Sequence, residues 1–247
     1  MSQGGSMGFL EHIEELRARL LRALAGLVVG TVICALFAER ILRWLTRPLG
    51  GEGLAQLEAI SLTENMGVFM QASLLGGVTL AMPYILYQLW RFISPGLKPD
   101  ERKYVYLVIP FATVLFLSGV AFAYFVMLPV AIPFLLEFLT IPVTPRPSEY
   151  FPFITSILFW IGLSFETPLL IFFLAKVGLI SPRTLLQNWR VAVILIAVLA
   201  AVITPTPDPV NMGIVMLPMM ILYGLSIVLA WIAYRPKEAE VGAPDVG

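Results

Sequence analysis

Charged side chains in this sequence gather in two short segments, each beside a long uncharged stretch. The first is EHIEELRARL, residues 11–20, and the second is FISPGLKPDERKY, residues 92–104. A pair of fixed carboxylates suits a guanidinium group, because arginine presents a planar fork of N–H donors that two oxygens can meet, whereas lysine is a point charge. The two segments therefore predict a site for an arginine-bearing segment of another protein.

Each segment also has a structural interpretation, which the residues leave open. Apolar residues recur at helical spacing in the first segment, so it can be a surface helix beside the membrane, with Glu15 and Arg19 as an i,i+4 pair worth about 0.3 kcal/mol. In the second segment, Pro95-Gly96 predicts a turn. Glu101 then lies near the start of the next helix, where the helix dipole favours negative charge.

The composition is that of an integral membrane protein. Of 247 residues, 59% are hydrophobic and only 13% are charged, against about 25% in soluble domains. A bilayer core of about 30 Å needs a helix of about 20 residues. We predict an all-α fold with six transmembrane helices, because backbone groups cannot stay unpaired in lipid. The expected spans are 20–38, 66–90, 104–128, 151–175, 189–203 and 210–233.

The same pattern divides the chain into three parts. We expect residues 1–19 to form a cytoplasmic amphipathic helix, residues 20–234 the six-span domain, and residues 235–247 a cytoplasmic, disordered tail. The fifth run is short: Val191 to Ile203 corresponds to about 20 Å of helix. The link TPTPDP that follows it is also short. We therefore predict short fifth and sixth spans, with a thinned bilayer or a recessed loop around them.

The distribution of Lys and Arg predicts the orientation. An even number of spans places both termini on one side, and that side carries twelve of these residues against four on the other. Basic residues are enriched in cytoplasmic loops, so both termini are expected in the cytoplasm. The exported loops are then about 39–65 and 129–150, and the prolines of the second predict a stiff, partly extended chain.

Several classes of protein are disfavoured by what the sequence lacks. Cys34 and His12 are its only cysteine and histidine, so neither an internal disulfide nor a multi-histidine metal site can form. We expect no metal, no cofactor and no enzymatic activity. A net charge of zero argues against nucleic acid as a partner.

Two polar residues fall inside the apolar runs. Glu166, in GLSFETPLL, lies well inside the fourth, where an ionisable group costs at least about 2.5 kcal/mol and is by default a functional hypothesis. The alternative is a carboxyl that is protonated or hydrogen-bonded, for example to Ser164 or Thr167. Pro168 is expected to disturb the helix there. Gln71, in the second run, is typical of a contact between helices.

Six motifs resemble, in order and spacing, those of the TatC family, the multispanning component of the twin-arginine protein translocase. They are HIEELRARL, TRPL, PYILYQLWRFISPGLKPDERK, FAYFVMLP, SFETPLL and ITPTPDP, within residues 9–234. The resemblance implies a receptor for the twin-arginine signal peptides of folded cargo proteins, in the bacterial inner membrane. It also implies TatA-type and TatB-type single-span partners, a homo-oligomeric receptor complex and dependence on the proton motive force.

The resemblance carries functional positions onto this chain. The motif positions implied to bind the signal peptide are Glu15, Leu16, Arg17, Phe92, Pro95 and Glu101. Glu166 matches a buried acid on the family's concave face, Pro48 a position in the first exported loop, and Asp208 the acid of the loop before the sixth span. That loop departs from the family pattern, because it has one additional residue and lacks the usual glutamine.

Two other functions remain as alternatives. A proton-coupled secondary transporter of a small solute would use Glu166 as its proton carrier, but such proteins usually contain inverted repeats, which this sequence does not show. An intramembrane enzyme would need histidine pairs or a Ser-His set that the sequence lacks.

Overall fold

The structure, a computed structural model, describes residues 9–50, 53–93, 102–137, 144–204 and 208–234, and every regular element in these ranges is helical. The expected tail, residues 235–247, lies outside the described residues. The α-helices are α1 (Phe9–Ala35), α2 (Ala38–Leu45), α3 (Glu64–Ile93), α4 (Arg102–Phe122), α5 (Leu128–Glu137), α6 (Pro147–Ser164), α7 (Thr167–Lys176), α8 (Pro182–Gln187), α9 (Trp189–Ile203) and α10 (Pro209–Ala233).

Five helical segments are long and apolar enough to cross a membrane. They are Glu11–Ala35, Glu64–Ile93, Val108–Leu136, Pro147–Lys176 and Pro209–Ala233. A sixth apolar helix, α9, has only 15 residues, as expected for a short fifth span. The expectation of a short sixth span was wrong, because α10 has 25 residues. Helix α10 begins directly after Asp208 and is long enough to span the bilayer. Of the last two apolar helices, only α9 is therefore short.

The first helix is unbroken, and small residues pack it against α3. The structure does not separate the amphipathic segment from the first span, since both lie in α1. A Cβ on Gly30 would lie 2.7 Å from the carbonyl oxygen of Gly77, and one on Gly77 would lie 2.6 Å from the Cα of Thr31. Such distances are too short for any side chain, so glycine is required for this approach. The contact between Gly30 and Gly77 places the N-terminal half of α1 beside the C-terminal half of α3.

The third span changes its winding near its end. A π-helical turn, Ala123–Met127, joins α4 to α5, and the Leu128 N–H donates to the Ala123 carbonyl. Pro129 follows directly; it has no N–H to donate, and its ring would clash with the carbonyl four residues earlier in a regular helix. The wider turn accommodates this proline. The expectation of a stiff, partly extended loop over residues 129–150 was therefore wrong for residues 129–137 and 147–150, which are helical.

The fourth span is interrupted near its middle. Helix α6 ends at Ser164 and α7 begins at Thr167, with Phe165 and Glu166 between them. The Glu166 N–H donates to the Leu163 carbonyl at 3.1 Å, an i→i−3 bond that tightens the turn. Pro168 supplies no N–H to the helix at this point, which agrees with its predicted effect.

Helix α6 lies at the centre of the bundle. Phe151, Ile154, Ile157, Leu158 and Ile161 are at most 1% exposed, and α3, α4 and α9 pack around them. This central helix holds the spans that position the polar residues described below.

A short helix closes one end of the bundle. The C-terminal carbonyls of α2 accept hydrogen bonds from two spans: Tyr124 Oη donates to the Trp44 carbonyl at 2.7 Å, and Tyr150 Oη donates to the Leu45 carbonyl at 3.0 Å. The Trp44 and Tyr124 rings stack with centroids 3.8 Å apart. Carbonyls at a helix end have no partner within the helix. The Trp44 carbonyl also accepts a backbone N–H, so Tyr124 gives it a second bond, whereas the Leu45 carbonyl has the Tyr150 hydroxyl as its donor.

Candidate functional site

Glu15 is held by an arginine of its own helix. Arg19 Nη2 donates to Glu15 Oε1 at 2.9 Å, and Arg19 Nε lies 3.4 Å from the same oxygen. Arg19 Nη1 also reaches Gln88 Oε1, on α3, at 3.4 Å. The Arg19 and Glu15 side chains are 13% and 16% exposed, and Gln88 is 4% exposed. The Glu15–Arg19 pair is thus partly buried, and through Gln88 it also contacts a second helix. The sequence alone predicted only an exposed i,i+4 pair.

The two oxygens of Glu15 differ. Oε1 accepts from Arg19, whereas Oε2 is buried and has no hydrogen-bond partner among the residues that the structure describes. A buried carboxylate oxygen without a donor is costly, so this atom is suited to accept a hydrogen bond from a ligand.

An aromatic pair lies on the same two helices. The His12 ring stacks on Phe92 with centroids 4.5 Å apart and planes 20° from parallel. His12 is three residues before Glu15 on α1, and Phe92 is four residues after Gln88 on α3, so both pairs lie where α1 meets the end of α3. Leu16 and Arg17 are exposed on α1. The structure therefore brings Glu15 and Phe92 together and leaves Leu16 and Arg17 on the outer surface.

The remaining predicted residues of this surface, Pro95 and Glu101, lie outside the described residues. The same is true of most of the segment that links α3 to α4. Its ends are described, since α3 ends at Ile93 and α4 begins at Arg102.

Glu166 lies in the break between α6 and α7. Its side chain is partly buried, its Oε1 has no partner within the described part of the chain, and it makes no capping bond to α7. The Ser164 hydroxyl donates to the Trp160 carbonyl instead, so that predicted alternative partner is engaged elsewhere. A polar group in the middle of a span, on a broken helix, is typical of a position that a substrate or partner reaches.

Gln71 also has an unsatisfied oxygen. Its buried Oε1 finds no donor in the described ranges, and the side chain lines a cavity of about 220 Å³ with Thr155 and Ser156 of α6. It therefore lies between two helices, but its oxygen makes no hydrogen bond to the described part of α6.

The two residues predicted in exported loops have structural roles in the described chain. Pro48 lies in a 3₁₀ turn, Arg47–Leu49, directly after α2. Asp208 caps α10: its Oδ1 accepts from the Asn211 N–H at 2.7 Å, and its Oδ2 from Asn211 Nδ2 at 2.9 Å.

Sequence reasoning missed Gln88, although the residue falls within a quoted motif. A neutral amide near the end of a span gives no signal by itself, and its partner is 69 residues away. No group of three or more potential metal ligands occurs among the described residues.

Comparisons with known proteins agree with this architecture. The family model described as "Sec-independent protein translocase protein (TatC)" matches residues 11–218. A TatC of Deinococcus radiodurans is 38% identical over 248 residues, which cover 97% of this chain and 92% of the relative. TatCy of Bacillus subtilis is 35% identical, over 96% and 94% of the two chains.

A solved structure has the same fold. The crystal structure of a twin-arginine translocase receptor, TatC, superposes with a TM-score of 0.82 at 32% identity, covering 91% of this chain and all of that one. Fold and similarity together define a component of a membrane protein translocase. The chain belongs to the TatC family. Proteins of this family act in protein transport and are not enzymes. They work with other Tat components in the membrane. Membership of the family does not favour the alternative function of a secondary transporter.

Proposed function

We propose that this protein is the signal-peptide receptor of a twin-arginine translocase, and that Glu15 and Glu101 together hold the paired arginines. The observation that carries the proposal is the state of Glu15. One carboxylate oxygen is fixed by Arg19, and the other is buried without a donor in the described chain. A guest guanidinium can donate to this second oxygen once a small rotation of the carboxyl group exposes it, and Arg19 can keep its bond to Oε1.

The Arg19 contact also explains why a second acid is needed. Glu15 and Arg19 carry opposite charges 2.9 Å apart, so together they attract a guest cation only weakly. In this proposal Glu101 supplies a second negative charge for the guest. Neighbouring residues have Cα atoms about 3.8 Å apart, so two consecutive arginines can engage two acids only if those acids are close together.

The position of Glu166 supports the later steps of the proposal. After capture, the apolar part of the signal peptide moves along the bundle towards Glu166, which lies at the break in the fourth span. Occupancy then changes how TatA-type and TatB-type helices pack and nucleates the translocation complex in the bacterial inner membrane, with both termini of this chain in the cytoplasm. The membrane potential supplies about 2.3 kcal/mol per charge per 100 mV.

Site-specific photo-crosslinking tests the receptor role. A photoreactive residue is placed at successive positions from 92 to 104 in the full chain, and the protein is mixed with a signal peptide carrying Arg-Arg or Lys-Lys. We expect strong crosslinks with Arg-Arg and weak ones with Lys-Lys, because only the guanidinium can bridge two oxygens.

A probe at Leu62, a fully exposed residue before α3 at the opposite end of the helix, serves as the control and should label neither peptide. Equal labelling of the two peptides from residues 92–104 would refute the proposed arginine site.

A further inference from the structure

An apolar cavity of about 750 Å³ opens between α4, α7 and α10. Helix α4 contributes Val114 and Leu115, α7 contributes Phe172 and Lys176, and α10 contributes Leu229. None of the residues placed in the signal-peptide site lines this cavity, and neither does Glu166. It is therefore a separate feature of the bundle.

The cavity has a formed floor and an open side. Leu169 and Phe173 are 7% and 5% exposed and form the floor, whereas Phe111 and Val114 are 57% and 59% exposed at the rim. Its volume falls in the range of about 300–1,000 Å³ that is typical of ligand sites. An unfilled cleft loses dispersion contacts, so an apolar group from the surrounding bilayer is expected to occupy it.

The charge of the cavity is concentrated at one end. Lys176 is the only charged residue among the described residues that line it, and its Nζ lies 5.9 Å from the centroid of the Phe172 ring. Helix α4 begins with Arg102 and Lys103, five to six residues before Val108, the first residue of α4 in the lining. Lys176 therefore places one positive charge at an end of an otherwise apolar cleft.

We propose that this cavity binds an acyl chain of an anionic phospholipid, with the lipid phosphate beside Lys176. Lipid tails are as apolar as the lining, so the cleft adds little affinity by hydrophobicity and acts mainly through its shape. The cation then decides which headgroup is retained, because basic positions at the membrane surface attract anionic lipids.

Native mass spectrometry of the full chain tests the proposal. The protein is extracted from vesicles of equimolar phosphatidylglycerol and phosphatidylcholine, and retained lipids are counted. We expect wild type to retain one lipid, with phosphatidylglycerol preferred about fivefold, because one lysine attracts a headgroup of net negative charge by about 1 kcal/mol, whereas the choline of phosphatidylcholine cancels the charge of its phosphate. Lys176→Gln should reduce this ratio to about one, and Arg183→Gln, which removes an exposed cation outside the cavity, should leave it unchanged.

A second pair of variants tests the cleft itself. Val114→Trp fills the cavity and should reduce lipid retention about tenfold. Leu117→Trp places the same indole on α4 at a residue that is 45% exposed and outside the lining, and should have no effect. Equal retention in these two variants, an unchanged headgroup ratio in Lys176→Gln, or crosslinking of a photoreactive residue 114 to a single-span protein instead of lipid would each overturn the proposal. None of these outcomes depends on signal-peptide binding.

Discussion

The carboxyl group of Glu15 has two oxygens in different environments, and this difference accounts for its proposed role. Arg19 fixes one oxygen, and Gln88 contacts Arg19 from the neighbouring helix. The side chain is therefore ordered before any guest arrives, so less conformational entropy is lost on binding. Pre-ordering of this kind favours a ligand with matching N–H donors over one that offers only charge.

Replacing Glu15 with Gln should weaken capture of an Arg-Arg signal peptide by about 1.5–3 kcal/mol, the value of a hydrogen bond to a charged group. The measurement is a binding titration with the purified full chain. Glu14→Gln is the matched control, since Glu14 is the preceding residue of α1 and is exposed. If both variants bind as tightly as wild type, Glu15 has only a structural role.

Glu166→Gln should leave initial capture intact and impair deeper insertion of the signal peptide. Glutamine retains the shape and the hydrogen-bonding oxygen but cannot carry the charge. The measurement compares crosslinks from residues 92–104 with crosslinks from probes near residue 166. Glu149→Gln, at an exposed acid of the same span, is the control. Undiminished deep crosslinks in Glu166→Gln would contradict the prediction.

Individual acids could be predicted from the sequence, but their partners could not. Glu166 was evident because a charged residue inside an apolar run is costly. The spacing of Glu15 to Arg19 predicted their ion pair, and the resemblance to the TatC family implied the binding role of Glu15, which stays a prediction. The contact with Gln88 depends on how α1 and α3 pack, and no local pattern encodes a pairing across 69 positions.

At the scale of helices, the bundle depends on a few close contacts and on hydrogen bonds to helix ends. Tyr124 and Tyr150 attach α2 to the third and fourth spans through its last carbonyls. Gly30 and Gly77 allow α1 to approach α3. These two sets act at different places, so each can be tested separately.

Tyr150→Phe should destabilise the attachment of α2 by about 1–3 kcal/mol, because the Leu45 carbonyl is then buried without a donor. Faster tryptic cleavage at Arg40 or Arg43 measures the loosening. Tyr84→Phe is the control, since Tyr84 is 42% exposed and lies away from α2. Equal cleavage rates in the two variants would show that the hydroxyl contributes nothing to this attachment.

Gly77→Leu should separate α1 from α3 and cost at least about 1–3 kcal/mol, as overpacking does. The shift should also move Glu15 away from Gln88 and weaken signal-peptide binding. Thermal unfolding and the binding titration measure the two effects. Gly67→Leu is a matched control on α3, because no atom lies within 4 Å of the position that a Cβ there would occupy. A Gly77→Leu protein as stable as Gly67→Leu would argue against tight packing.

The helices themselves were predictable, whereas their interruptions were not. Apolar runs of membrane length predicted α3 and α10 to within a few residues, because lipid leaves the backbone few alternatives to a helix. The π-helical turn before Pro129 and the helical residues 129–137 were missed. A proline can end a helix or be accommodated by a wider turn, and the packing of neighbouring helices decides between these outcomes.

At the scale of the whole molecule, the apolar helices of the bundle differ in length. Five apolar segments have 25–30 residues, but α9 has 15, about 22 Å of helix. A bilayer core is about 30 Å thick, so lipid around α9 must thin or water must enter from one side.

A spin label at Val202, 69% exposed near the end of α9, should therefore be accessible to a water-soluble relaxation agent. The label is attached to a cysteine introduced into a Cys34→Ala background. A label at Leu117, inside the long third span, should be accessible to oxygen only. If both labels show the accessibility of the bilayer interior, the membrane is not thinned at α9.

The unbroken first helix has a mechanical consequence. Helix α1 runs from Glu15 to Cys34 without a hinge, and the Cys34 sulfur lies 3.0 Å from the position that a Cβ on Gly76 would occupy. Nineteen residues of rigid rod, about 28 Å, separate these two points. A displacement of Glu15 on ligand binding would thus tilt or rotate the whole of α1, including its end in the opposite leaflet. The two ends of this helix therefore cannot move independently.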